Sequence, residues 1–155
     1  MGAKRIGQCE KHDTGVSFYG VYYGQSALPH APERFFYLDN AVIRDLKVYN
    51  AEIKSDIPVY NLSAAAGRDP YEMFLGGAHS IIRITNPNAE KERRLIVFRD
   101  SFGSSIAPLL TAGYSEITLV DIRYISPSSL GKLIDFTKAD DALFLYSASV
   151  INNSG

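Results

Sequence analysis

The sequence has few of the residues that would place it in a disulfide-rich or metal-binding class. A single cysteine, Cys9, cannot form an internal disulfide, which leaves the cellular compartment open. The three histidines, His12, His30 and His79, are scattered, with no cysteine or carboxylate cluster at metal-ligand spacing. We therefore expect no metal ion and no cofactor.

An excess of charge of one sign and long apolar runs are also lacking. Lysine plus arginine number 16 against 17 for aspartate plus glutamate, so the net charge of -1 provides no global field for nucleic acid or an anionic membrane. No apolar run approaches the roughly 20 residues that span a bilayer, and the first residues lack the apolar core of a signal peptide. We expect no nucleic-acid partner, and membrane contact only through segments outside this chain. The oligomeric state is not indicated.

The size of the chain favours one domain. Its 155 residues, 46% of them hydrophobic and 21% charged, are typical of a globular unit with a sizeable core. We therefore treat residues 1–155 as a single domain. Residues 1–16 carry no capping or strand signal, so we expect them to be disordered or to lie at the edge of the folded unit. The chain as a whole is then expected to be part of a larger domain.

The second half contains three short continuous apolar runs, which are typical of strands covered on both faces of a parallel sheet. They lie at residues 95–98, 117–120 and 142–146. Apolar residues at helical spacing over 104–112 and 127–134 predict a helix in each interval. This β-α-β-α-β order predicts an α/β domain with a three-layer, open, mostly parallel sheet, whose functional crevice lies at the carboxyl ends of its strands.

The first half consists of short aromatic or β-branched runs separated by turn residues. Residues 16–24, 46–53 and 57–62 are predicted to be strands or hairpin arms. The ten tyrosines could form a platform for carbohydrate, but tyrosine is also an ordinary strand residue, and we favour the structural role. A turn-rich segment then leads to the paired Gly76-Gly77.

Asp100 and Ser101 lie where the first predicted parallel strand ends and a helix begins. Capping of that helix is the commonest use of such residues at this kind of junction. A serine there can instead be a nucleophile, because its hydroxyl lies at the sheet edge beside backbone N–H groups that stabilise an oxyanion. Phosphate or nucleotide binding is the third use. No Gly-x-Gly-x-x-Gly or Walker pattern follows any predicted strand, so a nucleotide-binding domain ranks last.

Five stretches occur in an order and spacing that resemble a known family. They are "FYGVYYGQSAL", "YEMFLGGAH", "RLIVFRDSFGSSIAPLL", "YSEITLVDIRY" and "DALFLYSASVIN". They look like the C-terminal portion of the DHHW family of bacterial proteins, which are SGNH-hydrolase-like relatives of the alginate O-acetylation proteins. The resemblance covers residues 18–152 and implies an SGNH-hydrolase-like or flavodoxin-like fold, with this chain as the C-terminal portion of the domain.

The resemblance implies roles for particular residues. Ser101 corresponds to the nucleophile, and Gly77 lies by the oxyanion site, with Ala78, Phe102 and Gly103 lining the pocket. Where relatives commonly carry asparagine after the two glycines, this sequence has Ala78, which has no side-chain hydrogen-bond donor. Loss of one such donor can cost a few kcal/mol of transition-state stabilisation.

The general base is the larger departure from the family. The Asp-His-His-Trp motif lies upstream of this region in the family, and no such string occurs in this chain. His79 is the best local substitute, although a histidine on a loop is more often a surface or hydrogen-bonded residue. Asp100, Asp121 and Arg123 could line the pocket, and for Asp121 and Arg123 we favour pairing with each other.

Two functions of different classes follow. The resemblance implies serine acyl-ester chemistry, as an O-acetylesterase or O-acetyltransferase acting on a cell-envelope or extracellular glycan, and an extracytoplasmic or cell-surface location. The alternative is a non-catalytic binding or scaffolding module with an SGNH-like fold. Because a serine without a base is a weak nucleophile, this chain alone is expected to be inactive.

Overall fold

A computed structural model describes residues 8–19 and 31–152. Within these ranges, the strands are β1 (Glu10–Phe18), β2 (Glu33–Asp39), β3 (Lys47–Asn50), β4 (Ser55–Ile57), β5 (Ile81–Thr85), β6 (Arg94–Arg99), β7 (Glu116–Val120) and β8 (Asp141–Leu145). The α-helices are α1 (Ala41–Arg44), α2 (Phe102–Leu110), α3 (Pro127–Leu133) and α4 (Ala148–Asn152). Single 3₁₀ turns lie at Leu62–Ala66, Pro70–Met73 and Phe136–Lys138.

A six-stranded sheet in the order β4-β3-β5-β7-β6-β8 forms the centre of the molecule. Strand β6 pairs in parallel with β7 on one side and with β8 on the other. The α/β class and the predicted β-α-β-α-β unit are therefore confirmed. The sheet as a whole is mixed, because β5, β3 and β4 extend it by antiparallel pairings. The expected parallel arrangement is limited to the half formed by β7, β6 and β8.

Alternating side chains on the central strands build a core on each face of the sheet. Leu95 and Val97 of β6 point to the face covered by α2 and pack in one cluster with Ala107. Ile96 points to the opposite face and packs in a second cluster with Leu130 of α3. Helices on both faces give the three layers that the sequence predicts.

Strands β1 and β2 form a separate antiparallel hairpin. Its aromatic side chains, including Phe18 and Phe35, pack with Phe74 in a third cluster. The expectation of a disordered segment over residues 1–16 is therefore wrong for residues 10–16, because pairing with β2 and this packing order them. Residues 20–30, which include His30 and most of the predicted strand at 16–24, lie outside the described residues.

The predicted strand at residues 46–53 ends early, at a buried asparagine. Asn50 is fully buried, and its side-chain oxygen accepts a hydrogen bond from the backbone N–H of Glu52 at 2.9 Å. This closes a turn that leads directly into β4 and includes Lys54 at a φ of 53°. The run therefore forms one arm of a hairpin, β3, and most of the turn that joins it to β4.

In the described parts of the chain, no helix is both long enough and apolar enough to cross a membrane.

Candidate functional site

The carboxyl ends of the parallel strands meet at one edge of the sheet. Asp100 and Ser101 follow β6, Asp121 follows β7, and Tyr146 and Ser147 follow β8. This is the edge at which open α/β sheets bind ligands. The prediction that Ser101 follows a central parallel strand is confirmed.

Asp100 holds this junction together through hydrogen bonds to two backbone N–H groups. Its side chain is buried, with only 2% of the residue exposed. One carboxylate oxygen accepts from the backbone N–H of Phe102 at 3.1 Å, and the other accepts from the N–H of Ser147 at 2.6 Å. Asp100 thus caps the start of α2 and connects it to the segment after β8.

Ser101 is left free by this arrangement. It is exposed, and its hydroxyl makes no hydrogen bond to any described residue and does not cap α2. Its backbone N–H also donates to no group in the described ranges. The residue has ordinary helical geometry, with φ -57° and ψ -32°, so it lacks the strain of a nucleophile elbow. The capping role that the sequence allowed for either residue therefore belongs to Asp100.

The two residues after Ser101 face in different directions. Gly103 is buried against the side chain of Arg99, and a Cβ at this position would lie 2.5 Å from the Arg99 Cβ. Only glycine therefore lets α2 begin so close to β6. Phe102 is 40% exposed, and its ring contacts Tyr71 edge-on with 5.9 Å between centroids. This contact joins the Ser101 segment to the loop that carries Gly77.

The glycine loop has an unusual backbone. Leu75, Gly76 and Gly77 take positive φ values of 54°, 73° and 94° in succession. The Leu75 side chain is fully buried, which holds a non-glycine residue in the left-handed region. The N–H of Gly77 donates to the carbonyl of Phe74 at 3.1 Å, whereas the N–H of exposed Ala78 has no described acceptor. Ala78 therefore offers a free backbone donor in this loop, whereas Gly77 does not.

Two contacts hold the glycine loop at the same edge of the sheet as Ser101. The backbone N–H of Asp121 donates to the carbonyl of Ser80 at 2.9 Å. A guanidinium nitrogen of Arg99 lies 3.5 Å from the carbonyl of His79. The loop after Gly77 is thereby attached to the ends of both β7 and β6.

His79 pairs with Glu52 rather than with Ser101. Its Nδ1 lies 2.9 Å from a carboxylate oxygen of Glu52, and the other oxygen of Glu52 accepts from the N–H of Ser80 at 2.7 Å. The hydrogen bonds from Ser80 and His79 lower the pKa of Glu52 to about 2. In the described part of the chain, no histidine hydrogen-bonds to Ser101.

A buried charge cluster lies beneath the edge. Asp121 and Arg99 are both fully buried, with 3.7 Å between their charged groups. The guanidinium of Arg123 donates a hydrogen bond to each carboxylate oxygen of Asp121, with N–O distances of 2.9 and 2.6 Å. This hydrogen bonding raises the pKa of Arg123. Burial lowers the pKa of Arg99. The ion pair between Asp121 and Arg123 that the sequence analysis favoured is present. Its role at the sheet edge is therefore structural.

Sequence reasoning missed several residues at this edge, among them Arg99, Glu52 and Tyr146. The hydroxyl of Tyr146 and the Nε of Arg99 are buried without a partner among the described residues. Burial, followed by the charges of Asp121 and Asp100, raises the pKa of Tyr146. No cluster of three or more His, Cys, Asp or Glu side chains in the described ranges is suited to a metal ion.

Solved structures of similar fold span most of this chain. PatB1 from Bacillus cereus, an acetyltransferase, is 20% identical in its structure with a sulfonyl adduct. The TM-score is 0.65, and the match covers 91% of this chain and 47% of PatB1. A DHHW family protein from Eubacterium siraeum is 21% identical with a TM-score of 0.61, over 93% of this chain and 49% of its own. No protein-family model and no curated protein matches the sequence.

These structures confirm the resemblance at the level of the fold. The architecture is that of the DHHW family protein and of PatB1. The chain spans about half the length of the structures it matches, 47% and 49% of them.

Proposed function

We propose that this chain carries the nucleophile portion of a serine acyl-transfer site, as an O-acetylesterase or O-acetyltransferase acting on a cell-envelope or extracellular glycan. The observation that carries the proposal is the division of roles between Asp100 and Ser101. Asp100 satisfies the helix and the neighbouring loop, and Ser101 presents an unbonded hydroxyl at the carboxyl end of the central strand. A serine retained only for capping would bond its own helix.

The chemistry begins with attack of the Ser101 Oγ on the carbonyl carbon of an acetyl ester, while the hydroxyl proton passes to a general base. The carbonyl oxygen becomes an oxyanion, to which we assign the unbonded backbone N–H of Ser101 as a donor. Collapse breaks the ester bond, and the alcohol leaves with a proton from the protonated base. Water or a sugar hydroxyl then attacks the acetyl-serine and regenerates the Ser101 hydroxyl.

The base is proposed to come from outside this chain, because His79 is paired with Glu52 and no described histidine bonds to Ser101. An upstream Asp-His element, as in the DHHW family, would supply it. The sulfonyl adduct on PatB1 supports a reactive nucleophile in this fold. The same lack of a base also supports the second candidate function, a non-catalytic module that binds a glycan at this crevice.

The test uses the protein joined to its upstream Asp-His element and measures hydrolysis of 4-nitrophenyl acetate. Ser101→Ala removes the nucleophile, so we expect the rate to fall by about 100-fold or more. Because the Ser101 hydroxyl forms no hydrogen bond with a described residue, Tm should shift by only about 1–2 °C. The chain alone should hydrolyse the ester poorly.

Ser105→Ala is the matched control. Ser105 lies on the same helix, and its hydroxyl donates to the carbonyl of Phe102 at 3.0 Å. The control should retain activity. Equal activity of the wild type and a well-folded Ser101→Ala variant would remove Ser101 from catalysis. Inactivity of both, with glycan binding retained by both, would establish the binding module instead.

A further inference from the structure

A cavity of about 290 Å³ lies on the face of the sheet that α3 covers. It is lined by the first residues of β6 and β7, by Arg83 of β5, and by the chain that follows α3. Its volume is close to the lower end for small-molecule sites, roughly 300 Å³. Arg94, which begins β6, is six residues from Asp100, or roughly 20 Å of extended strand. The cavity is therefore separate from the Ser101 site.

Arg94 brings a charge without a counterion to this cavity. The residue is half-buried, and its guanidinium forms no ion pair or hydrogen bond with a described residue. The strand register places it opposite Glu116 of β7, but the ion pair of Glu116 is with Arg83. Asp140 accepts from the backbone N–H of Arg94 at 2.8 Å and does not bond the guanidinium. The side-chain donors of Arg94 thus lack an acceptor in the described protein.

The other two cations of the lining are each offset by one carboxylate. Arg83 lies 3.9 Å from Glu116, and this pair is longer than an ordinary hydrogen bond. Lys138 lies 3.6 Å from Asp135, which is also longer. The lining therefore carries three cations and two carboxylates, and the charge that is not offset belongs to Arg94. This balance favours a ligand with a negative charge.

A buried hydroxyl lines the same cavity. Thr118 of β7 is only 6% exposed, and its hydroxyl forms no hydrogen bond with a described residue. The register places Thr118 opposite Ile96 on one side and opposite Arg83 on the other. Because buried polar groups nearly always have a hydrogen-bond partner, the free hydroxyl is a second, independent sign of a ligand.

Apolar side chains form the rest of the lining. Ile96 and Ile134 are buried, and Leu133 at the end of α3 is 57% exposed. A mostly apolar wall with a few polar groups that fix orientation is typical of small-molecule sites.

We propose that this cavity binds a small organic oxyanion, a carboxylate or phosphate group carried on an apolar body. The planar guanidinium of Arg94 donates to two oxygens of the anion, a geometry that suits both groups. The hydroxyl of Thr118 donates to the same ligand, and the apolar body packs on Leu133 and Ile134. This inference does not depend on the acyl-transfer proposal.

The test titrates the ¹⁵N-labelled 155-residue chain at low salt with benzoate, phenyl phosphate and the neutral benzyl alcohol, observed by NMR. At least one anion should shift the amide signals of residues 94–96 and 116–118 saturably, and should bind at least about tenfold more tightly than the alcohol. The tighter anion identifies the group that the cavity recognises. Added salt should weaken its binding.

Two variants remove the proposed contacts. Arg94→Gln should raise the Kd of the tighter anion by at least about tenfold, because it removes a charged donor. Thr118→Val keeps the shape of the side chain without its hydroxyl, and it should raise the Kd roughly two- to tenfold.

Arg68→Gln is the matched control, because Arg68 is exposed outside the cavity and the substitution removes the same charge. It should leave the Kd unchanged. Equal effects of Arg68→Gln and Arg94→Gln, or equal binding of the anions and the alcohol, would overturn the proposal. Ser101→Ala should also leave the Kd unchanged, which separates this cavity from the proposed activity.

Discussion

Asp100 and Ser101, at the end of the central strand β6, differ in their hydrogen bonding. The carboxylate of Asp100 bonds two backbone N–H groups and is buried, whereas the hydroxyl of Ser101 bonds nothing in the described chain. Under the proposed function, stability and reactivity therefore belong to different side chains. A nucleophile can then react without loosening the helix that it precedes.

This division predicts opposite effects of alanine at the two positions. Asp100→Ala leaves the N–H groups of Phe102 and Ser147 without acceptors, so we expect a loss of about 2–4 kcal/mol in the free energy of unfolding. Ser101→Ala should cost less than about 0.5 kcal/mol. Urea denaturation of the 155-residue chain measures both.

Asp135→Ala is the control for Asp100, because Asp135 caps a 3₁₀ turn at the surface, where its oxygen accepts from the N–H of Thr137. Its effect should be much smaller than that of Asp100→Ala. A Ser101→Ala variant as destabilised as Asp100→Ala would show that Ser101 is also structural.

Residue types alone predicted this junction but not its division of roles. Asp and Ser are both good caps, and only the position of the loop after β8, 47 residues away, shows which one is used. The sequence alone also does not predict the burial of Arg99 or the pairing of Glu52 with His79. They depend on contacts between segments far apart in the chain, such as the 27 residues from Glu52 to His79.

At the scale of elements, the glycine loop is held by a carboxylate from another segment. Glu52 accepts from the N–H of Ser80 and pairs with His79, which lowers its pKa from 4.5 to about 2. A carboxyl whose pKa is lower in the folded state stabilises the fold above its unfolded pKa. It loses that contribution as the pH falls through the folded pKa.

Glu52→Gln removes this charge. The urea midpoint of the wild type should therefore exceed that of Glu52→Gln at neutral pH, and the gap should close as the pH falls from about 4.5 towards 2. Because Glu52 is partly exposed, the gap should also shrink at high salt. A series of urea titrations between these pH values measures it. A gap that stays constant over this range would show that the charge of Glu52 does not hold the loop.

The elements that the sequence predicted best are those with a continuous apolar pattern. Strands β6 and β7 are buried between two layers, and such strands appear as uninterrupted apolar runs. Strand β8 carries the same apolar run, although Ala142 and Phe144 on one of its faces are exposed. Strands β2 and β5 were missed. In β5, the exposed Arg83 interrupts the apolar pattern Ile-Ile-Arg-Ile, and its pairing with β7 depends on residues more than 30 positions away.

At the scale of the whole molecule, the described chain has one completed side and one open side. On one side, the aromatic residues of the hairpin pack with Phe74 and Tyr71, and Tyr71 contacts Phe102 of α2. The opposite side ends in the bare strand β8. The extent of the domain and the source of the base stay predictions, because no contact among the described residues tests either of them.

Covalent labelling of Ser101 tests the central claim most directly. This chain, joined to an upstream Asp-His element as proposed above, is treated with phenylmethanesulfonyl fluoride, and the modified residue is located by peptide mass spectrometry. An activated serine attacks the sulfonyl group and expels fluoride, so we predict one adduct on Ser101, abolished in Ser101→Ala and retained in Ser105→Ala. A protein that stays unlabelled at Ser101, while folded and bearing the Asp-His pair, would contradict the account.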